Sequence, residues 1–544
     1  MFVLSYLRVG LGTQRRGPGS WLCRRQCASV VRMMSAAATR SPVPTSIRLT
    51  ELEERLFDTL MTVVDERGLR TTLRVGGGWV RDKLLGLDVD EVDIDIALDD
   101  MLGREFAEMV NQWLCDNKLE SHHVGVIKCN PEQSKHLETA RIKIFGLWID
   151  LVNLRTETYT HNSRIPDVSI GTPEEDARRR DLTINSCFFN VNERIVEDFT
   201  GHGISDLRAK VIRTPLPPLT TLLDDPLRAL RSIRFASRLN FHVDPELYES
   251  YKSCLVHDAL VSKISRERIA TELQKMITGP SPDRAMGLIR EVGLMDAVFV
   301  LPSDTEPPKP RSTNLWVSCL GCLVNHCALR RRRLRFADHV NEFSVLVARL
   351  SAFLAPLAAC HYQFKGKSIH VSQFTLRELR LPSKEIELVS LVLSSSVKFK
   401  KMVEKNADAL DRLEIGQLIR KTGRYWKVAV ETALVSEIGP IDSEQSYAQA
   451  GPPLLESFSE QDGIKIDVYE RFMGLVDSLE MEGIWDLKPL LDGRRVLDLL
   501  PGLPKGPAIG YVMDRQIEWQ IVNPSGGEDD CKRWLTHEFR SYVK

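Results

Sequence analysis

The pattern of apolar and polar positions divides the chain into an alternating first part and a helical second part. In the first part, apolar residues at helical spacing predict helices over 51–67, 80–85 and 106–114. Short apolar, β-branched runs between them predict strands, which are expected at 73–75, 92–98, 124–128, 140–144 and 147–154. Because strands and helices alternate, this part predicts an α/β domain.

From Asp224 onward the strand signals fade and helical spacing dominates. Helices are expected at 225–238, 265–278, 283–292, 338–359, 383–393, 412–434 and 464–483. Proline and polar residues predict loops or junctions at 305–310 and 443–453. The Gly/Pro-rich stretch 490–510 predicts a break, followed by a flexible tail. The second part therefore predicts an all-α architecture.

Composition changes this picture little. The chain has 544 residues and a net charge of −1, so several domains are expected and the protein is not a bulk polycation. Any nucleic-acid surface must therefore be local. No apolar run is long enough for a membrane-spanning helix, and no obligate protein partner is evident from the sequence.

The eleven cysteines are scattered, which indicates reduced thiols. One cluster has spacing that could suit zinc, namely Cys319, Cys322, His326 and Cys327. The residues around this cluster are apolar and lack the glycines of most zinc sites. Buried cysteines that pack as small apolar side chains are the favoured interpretation.

The N-terminal segment has its own composition. Residues 1–50 contain no Asp or Glu, while arginines recur among small and apolar residues. That composition is typical of a mitochondrial transit peptide over residues 1–45, although a disordered basic tail would also fit. Translation from Met33 or Met34 would omit most of this segment, so a second, cytosolic or nuclear form is also expected.

Two short motifs suggest chemistry. Glycine has no Cβ, so the turn at Gly77 and Gly78 lets a triphosphate approach the backbone N–H groups. Asp93 and Asp95 lie two apart in a predicted strand, so both carboxylates project from one face. Hard oxygen ligands suit Mg²⁺ bound jointly with phosphates. Each motif alone is more often structural, but together they predict a nucleotidyl-transfer site that uses two metal ions.

Asp150 offers a third carboxylate on a second apolar strand. It could complete the metal site or act as a base toward an attacking hydroxyl group. An aspartate that merely caps a turn fits the sequence equally well.

Arginines form two later clusters. Arg179 and Arg180 precede Asp181, and such guanidinium groups suit phosphate or ribose oxygens, although a solvated basic turn would also explain them. A predicted helix that starts near Asp225 carries more arginines within about one third of its circumference. These are Arg228, Arg231, Arg234 and Arg238.

Asp225 and Arg228 lie one helical turn apart, which sets acceptors beside donors. The pairing edge of cytosine has an amino donor beside two acceptors, and adenine has one donor and one acceptor. An Asp/Arg pair could match both bases and mismatch guanine and uracil. The hypothesis is that these protein side chains replace a nucleic-acid template.

With these motifs in this order, the chain resembles the class II tRNA nucleotidyltransferases, the CCA-adding enzymes, in their eukaryotic form. The resemblance spans nearly everything after residue 50. The matching segments are Gly77–Asp82, Asp93–Asp95, Arg179–Asn185, Asp198–Arg213, Asp224–Arg234, Ile264–Glu272, Pro489–Gly493 and Gly506–Gly510. Two departures are the Asp at position 224, where the family usually has Glu, and the extra glycine at Gly76.

The resemblance implies a polymerase-β-like nucleotidyltransferase head over 46–214, a helical neck with the base-reading motif over 215–300, and a helical, tRNA-binding body and tail over 301–544. It implies CTP, ATP and tRNA as substrates and Mg²⁺ on Asp93 and Asp95. The implied nucleotide-binding residues are Gly77, Gly78, Arg81, Arg179, Arg180, Asp181, Asp225, Arg228, Arg231 and Arg234. An arginine run at Arg330–Arg333 could touch tRNA phosphates or be a solvated helix face.

Three other functions share part of these motifs. Bacterial-type poly(A) polymerases are disfavoured by the near-neutral pI and the eukaryotic-style tail. Enzymes that add only CC or only A also share most of these motifs, and the CC-only kind is disfavoured by the intact 198–213 segment, which resembles the family's flexible loop. A silent tRNA-binding protein would not need the carboxylates of Asp93 and Asp95.

Overall fold

The structure is a computed structural model that describes residues 46–87, 94–120, 123–127, 139–158, 167–307, 313–330, 342–405, 410–438, 446–451 and 459–543. The expected transit peptide, Asp93 and the arginines from 331 onward in the basic run lie outside these residues. So do the side chains of His326, Cys327 and Arg330.

The head is built on a mixed seven-stranded sheet. Its strands are β1 (Leu73–Gly76), β2 (Ile94–Leu98), β3 (Gly125–Ile127), β4 (Thr139–Ile144), β5 (Leu147–Asn153), β8 (Phe188–Asn190) and β9 (Ile195–Glu197). Their order across the sheet is β3-β4-β5-β2-β1-β8-β9. Strands β2 and β5 are parallel, and the other neighbouring strands are antiparallel. A separate hairpin pairs β6 (Arg155–Thr158) with β7 (Asp167–Ile170).

Helices pack against both faces of this sheet. The head helices are α1 (Glu51–Glu66), α2 (Gly78–Leu84), α3 (Gly103–Asp116), α4 (Pro173–Arg178) and α5 (Gly203–Ala209). A capping box between Thr50 and Glu53 starts α1, whose apolar side is buried. The ring centroids of Phe189 and of Phe57 in α1 lie 5.9 Å apart. The face of the sheet that carries Phe189 therefore belongs to the large apolar core. Phe188 projects from the opposite face.

The neck is helical and joins the head through a short parallel pair of strands, β10 (Val211–Ile212) and β11 (His242–Val243). Its helices are α6 (Pro218–Asp224), α7 (Leu227–Leu239), α8 (Pro245–Tyr251), α9 (Cys254–Lys263), α10 (Arg266–Thr278), α11 (Pro282–Glu291) and α12 (Met295–Val298). The predicted helix at 225–238 starts at Leu227 because Asp225 lies in the turn after α6.

The described residues of the body and tail are mostly helical and include a hairpin of β12 (His361–Phe364) and β13 (Lys367–His370). The helices are α13 (Asn314–Arg330), α14 (Glu342–Leu354), α15 (Val371–Glu378), α16 (Ser383–Val403), α17 (Arg412–Thr422), α18 (Trp426–Glu437), α19 (Glu460–Ser478), α20 (Gly493–Leu499), α21 (Pro507–Val522) and α22 (Glu528–Glu538). No helix in the described ranges is both long enough and apolar enough to cross a membrane.

Two expectations about this region need correction. The flexible tail expected after residue 510 is wrong, because α21 and α22 pack around their own small core. The glycines and prolines of 490–510 mark helix starts instead, since Pro507 lies in the first turn of α21 after Gly506. The helix predicted over 412–434 is split at Gly423, which has a φ of 67°.

Two members of the cysteine cluster, Cys319 and Cys322, pack in the apolar core. Cys319 and Cys322 are buried in α13, and the Cys319 thiol donates to the Val435 carbonyl at 3.4 Å. Burial raises the pKa of Cys322 to about 12, so its thiol stays neutral near pH 7. A neutral thiol is a poor metal ligand.

Candidate active site

A row of residues crosses the polar face of the head sheet. The strand registers pair Gly76 with Asp95, Asp95 with Asp150, and Asp150 with Arg141. On the other side, Gly76 pairs with Phe188. Directly paired residues project from the same face, and neighbouring strands lie about 4.8 Å apart. Across one face of the sheet, the row therefore runs from a glycine through two carboxylates to a guanidinium group.

The glycine turn ends β1 and begins α2. Gly77 has a φ of 78°, a conformation that glycine adopts readily. A Cβ on Gly76 would lie 2.7 Å from Nη2 of Arg180, and one on Gly77 would lie 3.3 Å from its Nη1. Arg180 also stacks over Phe188, with 4.7 Å between Cζ and the ring centroid. The turn predicted to bind phosphates thus lies directly against a guanidinium group.

This contact gives a testable prediction. Gly76→Ala is expected to displace the Arg180 guanidinium group and lower kcat/KM for nucleotide addition by about tenfold or more, since misplacement of a positioned group by about 1 Å can cost up to about 10²-fold. Gly125→Ala is the matched control, because its Cβ would meet its nearest atom at an ordinary 3.6 Å. Steady-state kinetics of both variants would test the idea. Equal activity in the two would contradict it.

The two described carboxylates of the row suit a divalent cation. Asp95 is exposed at the start of β2, and Asp150 is partly exposed in the middle of β5. Asp150 therefore does not cap a turn, which was the alternative interpretation of this residue. Both side chains offer hard oxygen donors on one face, as Mg²⁺ requires. Nε of Arg141 lies 3.4 Å from Oδ1 of Asp150 and partly balances its charge.

Arg179 and Arg180 are held by one buried carboxylate, that of Asp176 in α4. Oδ1 of Asp176 accepts from Nη2 of Arg179 at 2.5 Å, and Oδ2 accepts from Nη2 of Arg180 at 2.9 Å. Burial alone would raise the pKa of Asp176, but the guanidinium groups of Arg180 and Arg179 hold that pKa below its ordinary value. The two arginines are therefore oriented before any ligand arrives, and they do not form a solvated turn.

Arg81 and Asp181 are also engaged within the protein. Arg81 is buried and donates twice to the Asp82 carboxylate, at 2.8 and 2.9 Å, and to Oδ1 of Asn185 at 2.7 Å. Asp181 accepts from Asn185 at 3.0 Å and from Nε of Arg231 at 2.8 Å. Burial opposes ionisation of Asp181, yet Arg231 holds the pKa of this carboxyl below its usual value.

The arginine stripe of α7 faces the head and α10. Arg228 donates to the Arg179 carbonyl at 2.7 Å, and Nε of Arg234 donates to Oε2 of Glu272 at 2.5 Å. Arg231 bridges Asp181 and Glu272, while Nη2 of Arg238 lies 3.9 Å from Asp82. The structure therefore contains the predicted stripe, and the stripe joins α7 to the head and to α10.

Asp225 and Arg228 are each held by a different partner within the protein. The Asp225 carboxylate accepts from both Nη atoms of Arg268, at 2.8 and 3.3 Å. It also accepts from the Leu227 backbone N–H at 3.2 Å. The two residues predicted to read the base are thus oriented by Arg268 and by the Arg179 carbonyl.

The 198–213 segment, which resembles the family's flexible loop, makes several hydrogen bonds within the head. The Asp198 carboxylate accepts from the backbone N–H groups of Gly201 and Ile204, and α5 and β10 follow. The Asp206 carboxylate accepts from Oγ1 of Thr183 at 2.7 Å. That this segment disfavours an enzyme that adds only CC stays a prediction.

Several supporting residues escaped prediction. Asp176 and Glu157 orient the arginine pair, and Arg141 closes the row beside Asp150. Asp176 precedes Arg179 and Arg180 by three and four residues, so helical spacing could have indicated it. Glu157 and Arg141 gave no such signal, because register and folding bring them into place.

Comparisons with known proteins agree with this architecture. Residues 73–213 match the family model described as the Poly A polymerase head domain. Residues 240–303 match the model described as the probable RNA and SrmB-binding site of polymerase A. The mitochondrial CCA tRNA nucleotidyltransferase of Saccharomyces cerevisiae is 34% identical over 90% of this chain and 93% of its own. The protein of the same name from Candida glabrata is 33% identical over 92% and 97%.

Solved structures share the fold. The Bacillus stearothermophilus CCA-adding enzyme, solved in complex with CTP, has a TM-score of 0.58 at 19% identity and covers 91% of this chain and 99% of its own. The Thermotoga maritima CCA-adding enzyme, solved with tRNA, has a TM-score of 0.56 at 18% identity and covers 90% and 97%.

The fold and the site define a nucleotidyltransferase with a head of the poly(A) polymerase type and a mostly helical remainder. Within that class, the chain belongs to the CCA tRNA nucleotidyltransferases, because the match to the yeast enzymes runs through both chains nearly from end to end. The predicted family and fold class are thereby confirmed.

Proposed function

We propose that this protein adds C, C and A to the 3′ end of tRNA from CTP and ATP, without a nucleic-acid template. The observation that carries the proposal is the convergence of the glycine turn, the carboxylates of Asp95 and Asp150, and the start of α7 on one face of the head. Membership in the CCA tRNA nucleotidyltransferases supports it, as do neighbours of the same fold solved with CTP or tRNA.

The incoming nucleotide would lie on the Gly76 side of the row. Backbone N–H groups of Gly77 and Gly78 would face the triphosphate beside Arg180, whose charge offsets that of the phosphates. Arg179, tied to Asp176 and Glu157, would face the ribose side. Arg81 and Asp181 would act mainly by holding Asn185 and Arg231, since their polar atoms already have protein partners.

The base would lie against the start of α7. Asp225 supplies acceptors and Arg228 supplies donors, and each is held by a separate partner. Fixed polar groups discriminate well because a mismatched base leaves them unpaired. The proposed base choice therefore rests on orientation by Arg268 and the Arg179 carbonyl.

The row would also hold the metal. Family membership implies a divalent cation, and we propose Mg²⁺ bound by Asp95 together with Asp93. Such a cation, when bound, supplies charge neutralisation at the reacting phosphates. Asp150 lies on the far side of Asp95 from the glycine turn, where it could receive the proton of the attacking 3′-hydroxyl group. That oxygen would bond to the α-phosphorus as the bond to the pyrophosphate leaving group breaks.

We further propose that the protein acts in mitochondria. Both yeast relatives are described as mitochondrial, and the acid-free, arginine-bearing residues 1–45 have the composition of a transit peptide. A second form started at Met33 or Met34 remains a prediction.

The activity is tested with end-labelled tRNA that lacks CCA. The protein and Mg²⁺ are incubated with CTP alone, ATP alone, or both, and the products are resolved on a sequencing gel. We expect two additions with CTP alone and a third only when ATP is also present.

Other outcomes identify the competing functions. A long ladder with ATP alone would make the protein a poly(A) polymerase. Two additions with no third in the presence of both nucleotides would make it a CC-adding enzyme. Binding of tRNA without any extension would indicate a silent binding protein.

A further inference from the structure

One large aromatic side chain stands exposed beside the carboxylate row. Trp148 lies in β5, two residues before Asp150, and is 46% exposed. Residues two apart in a strand share a face and are separated by roughly 7 Å. The indole ring therefore lies on the face that carries Asp150, within about one nucleotide's length of its carboxylate.

Two cations from the neighbouring strand flank this ring. Cζ of Arg141 lies 5.1 Å from a Trp148 ring centroid, and Nζ of Lys143 lies 5.8 Å away. The antiparallel register pairs Lys143 with Trp148 and Arg141 with Asp150, so all four residues occupy one patch. The large apolar core of the head lies on the other face, and a smaller apolar cluster around Phe188 and Ala177 lies on this one. Trp148 belongs to neither cluster, so it adds little to core packing.

The patch lies on the opposite side of the carboxylates from the nucleotide. The row runs from Phe188 and the glycine turn through Asp95 to Asp150 and Arg141. With the triphosphate at the glycine turn, the RNA that attacks in line must approach from the Asp150 side. Trp148, Arg141 and Lys143 form the surface that it meets there.

We propose that Trp148 is the stacking platform for the 3′-terminal base of the RNA, with Arg141 and Lys143 contacting its phosphate. The inference rests on the proposed function. The three additions are made to the unextended tRNA, to an end in C and to an end in CC, so recognition of the terminal base must tolerate more than one base. Stacking on an aromatic ring next to cations has this property, because every base offers a π face.

The test compares full-length variants on an RNA minihelix that ends in CC, with ATP and Mg²⁺. Trp148→Leu is expected to raise KM for the minihelix by roughly 5- to 150-fold, the range for loss of one base–aromatic stack. KM for ATP should stay within about twofold of its value in the unmodified protein, which is small compared with the rise expected in KM for the minihelix. Trp148→Phe should recover most of the loss. Trp113→Leu, a partly exposed tryptophan of α3, is the matched control and should leave both KM values unchanged.

A binding measurement without turnover completes the test. Titration of the unmodified protein with the minihelix alone should quench tryptophan fluorescence, and Trp148→Phe should remove most of that quenching. An unchanged minihelix KM in Trp148→Leu, equal increases in both KM values, or full quenching in Trp148→Phe would each overturn the inference. None of these three outcomes contradicts the proposed function. The proposed function fails if the unmodified protein extends no tRNA.

Discussion

Replacement of Asp95 by asparagine is expected to remove nearly all nucleotide addition while leaving the fold intact. Asp95 is exposed and lies between Gly76 and Asp150 in the row, so the near-isosteric change disturbs no apolar packing. Loss of one negative metal ligand removes several kcal/mol of transition-state stabilisation. Since each 1.36 kcal/mol is tenfold in rate, kcat should fall by about 10³-fold or more.

The measurement is single-turnover extension of tRNA by CTP, with thermal melting as the check on folding. Asp116→Asn is the control, because Asp116 is an exposed carboxylate at the end of α3 that accepts a hydrogen bond from Nε2 of Gln112 at 2.8 Å and lies outside the row. Near-normal extension by Asp95→Asn would remove this residue from the proposed metal site.

Glu272→Gln is expected to be among the most destabilising single changes in the neck. Glu272 is 3% exposed, and its carboxylate accepts from buried Arg234 and lies 3.7 Å from Arg231. Loss of its charge leaves a buried guanidinium group uncompensated, which typically costs about 3–5 kcal/mol. An apparent melting temperature lower by on the order of 10 °C is expected for a unit of this size.

Differential scanning calorimetry measures this effect, with the transition that contains the neck followed separately because a multidomain chain need not unfold in one step. Glu267→Gln, at an exposed position near the start of α10, is the control and should change stability by less than about 1 kcal/mol. The double variant Arg234→Met with Glu272→Leu should regain much of the lost stability, since an apolar pair can replace a buried ion pair. If Glu272→Gln lowered the stability no more than Glu267→Gln does, the ion pair of Arg234 and Glu272 would have to be solvated.

The sequence indicated the residues of the candidate site better than the residues that support them. Gly77, Gly78 and Asp95 were identified from spacing, since strand and turn geometry act over a few residues. Glu157 and Arg141 were missed, because their partners lie on other strands or in distant segments. The ion pair between Asp225 and Arg268 was also not predicted, because 43 residues separate the two in the chain.

Local physics therefore allowed the sequence by itself to determine the α/β head, the helical remainder, and the arginine stripe of α7. Apolar periodicity and chain stereochemistry act within a few residues, so these features need no knowledge of neighbours. Only the tertiary structure decided that Gly76, Asp95, Asp150 and Arg141 form one row and that Trp148 stands beside it. Strand register sets those relations, and a shift of one residue would turn each of these side chains to the opposite face.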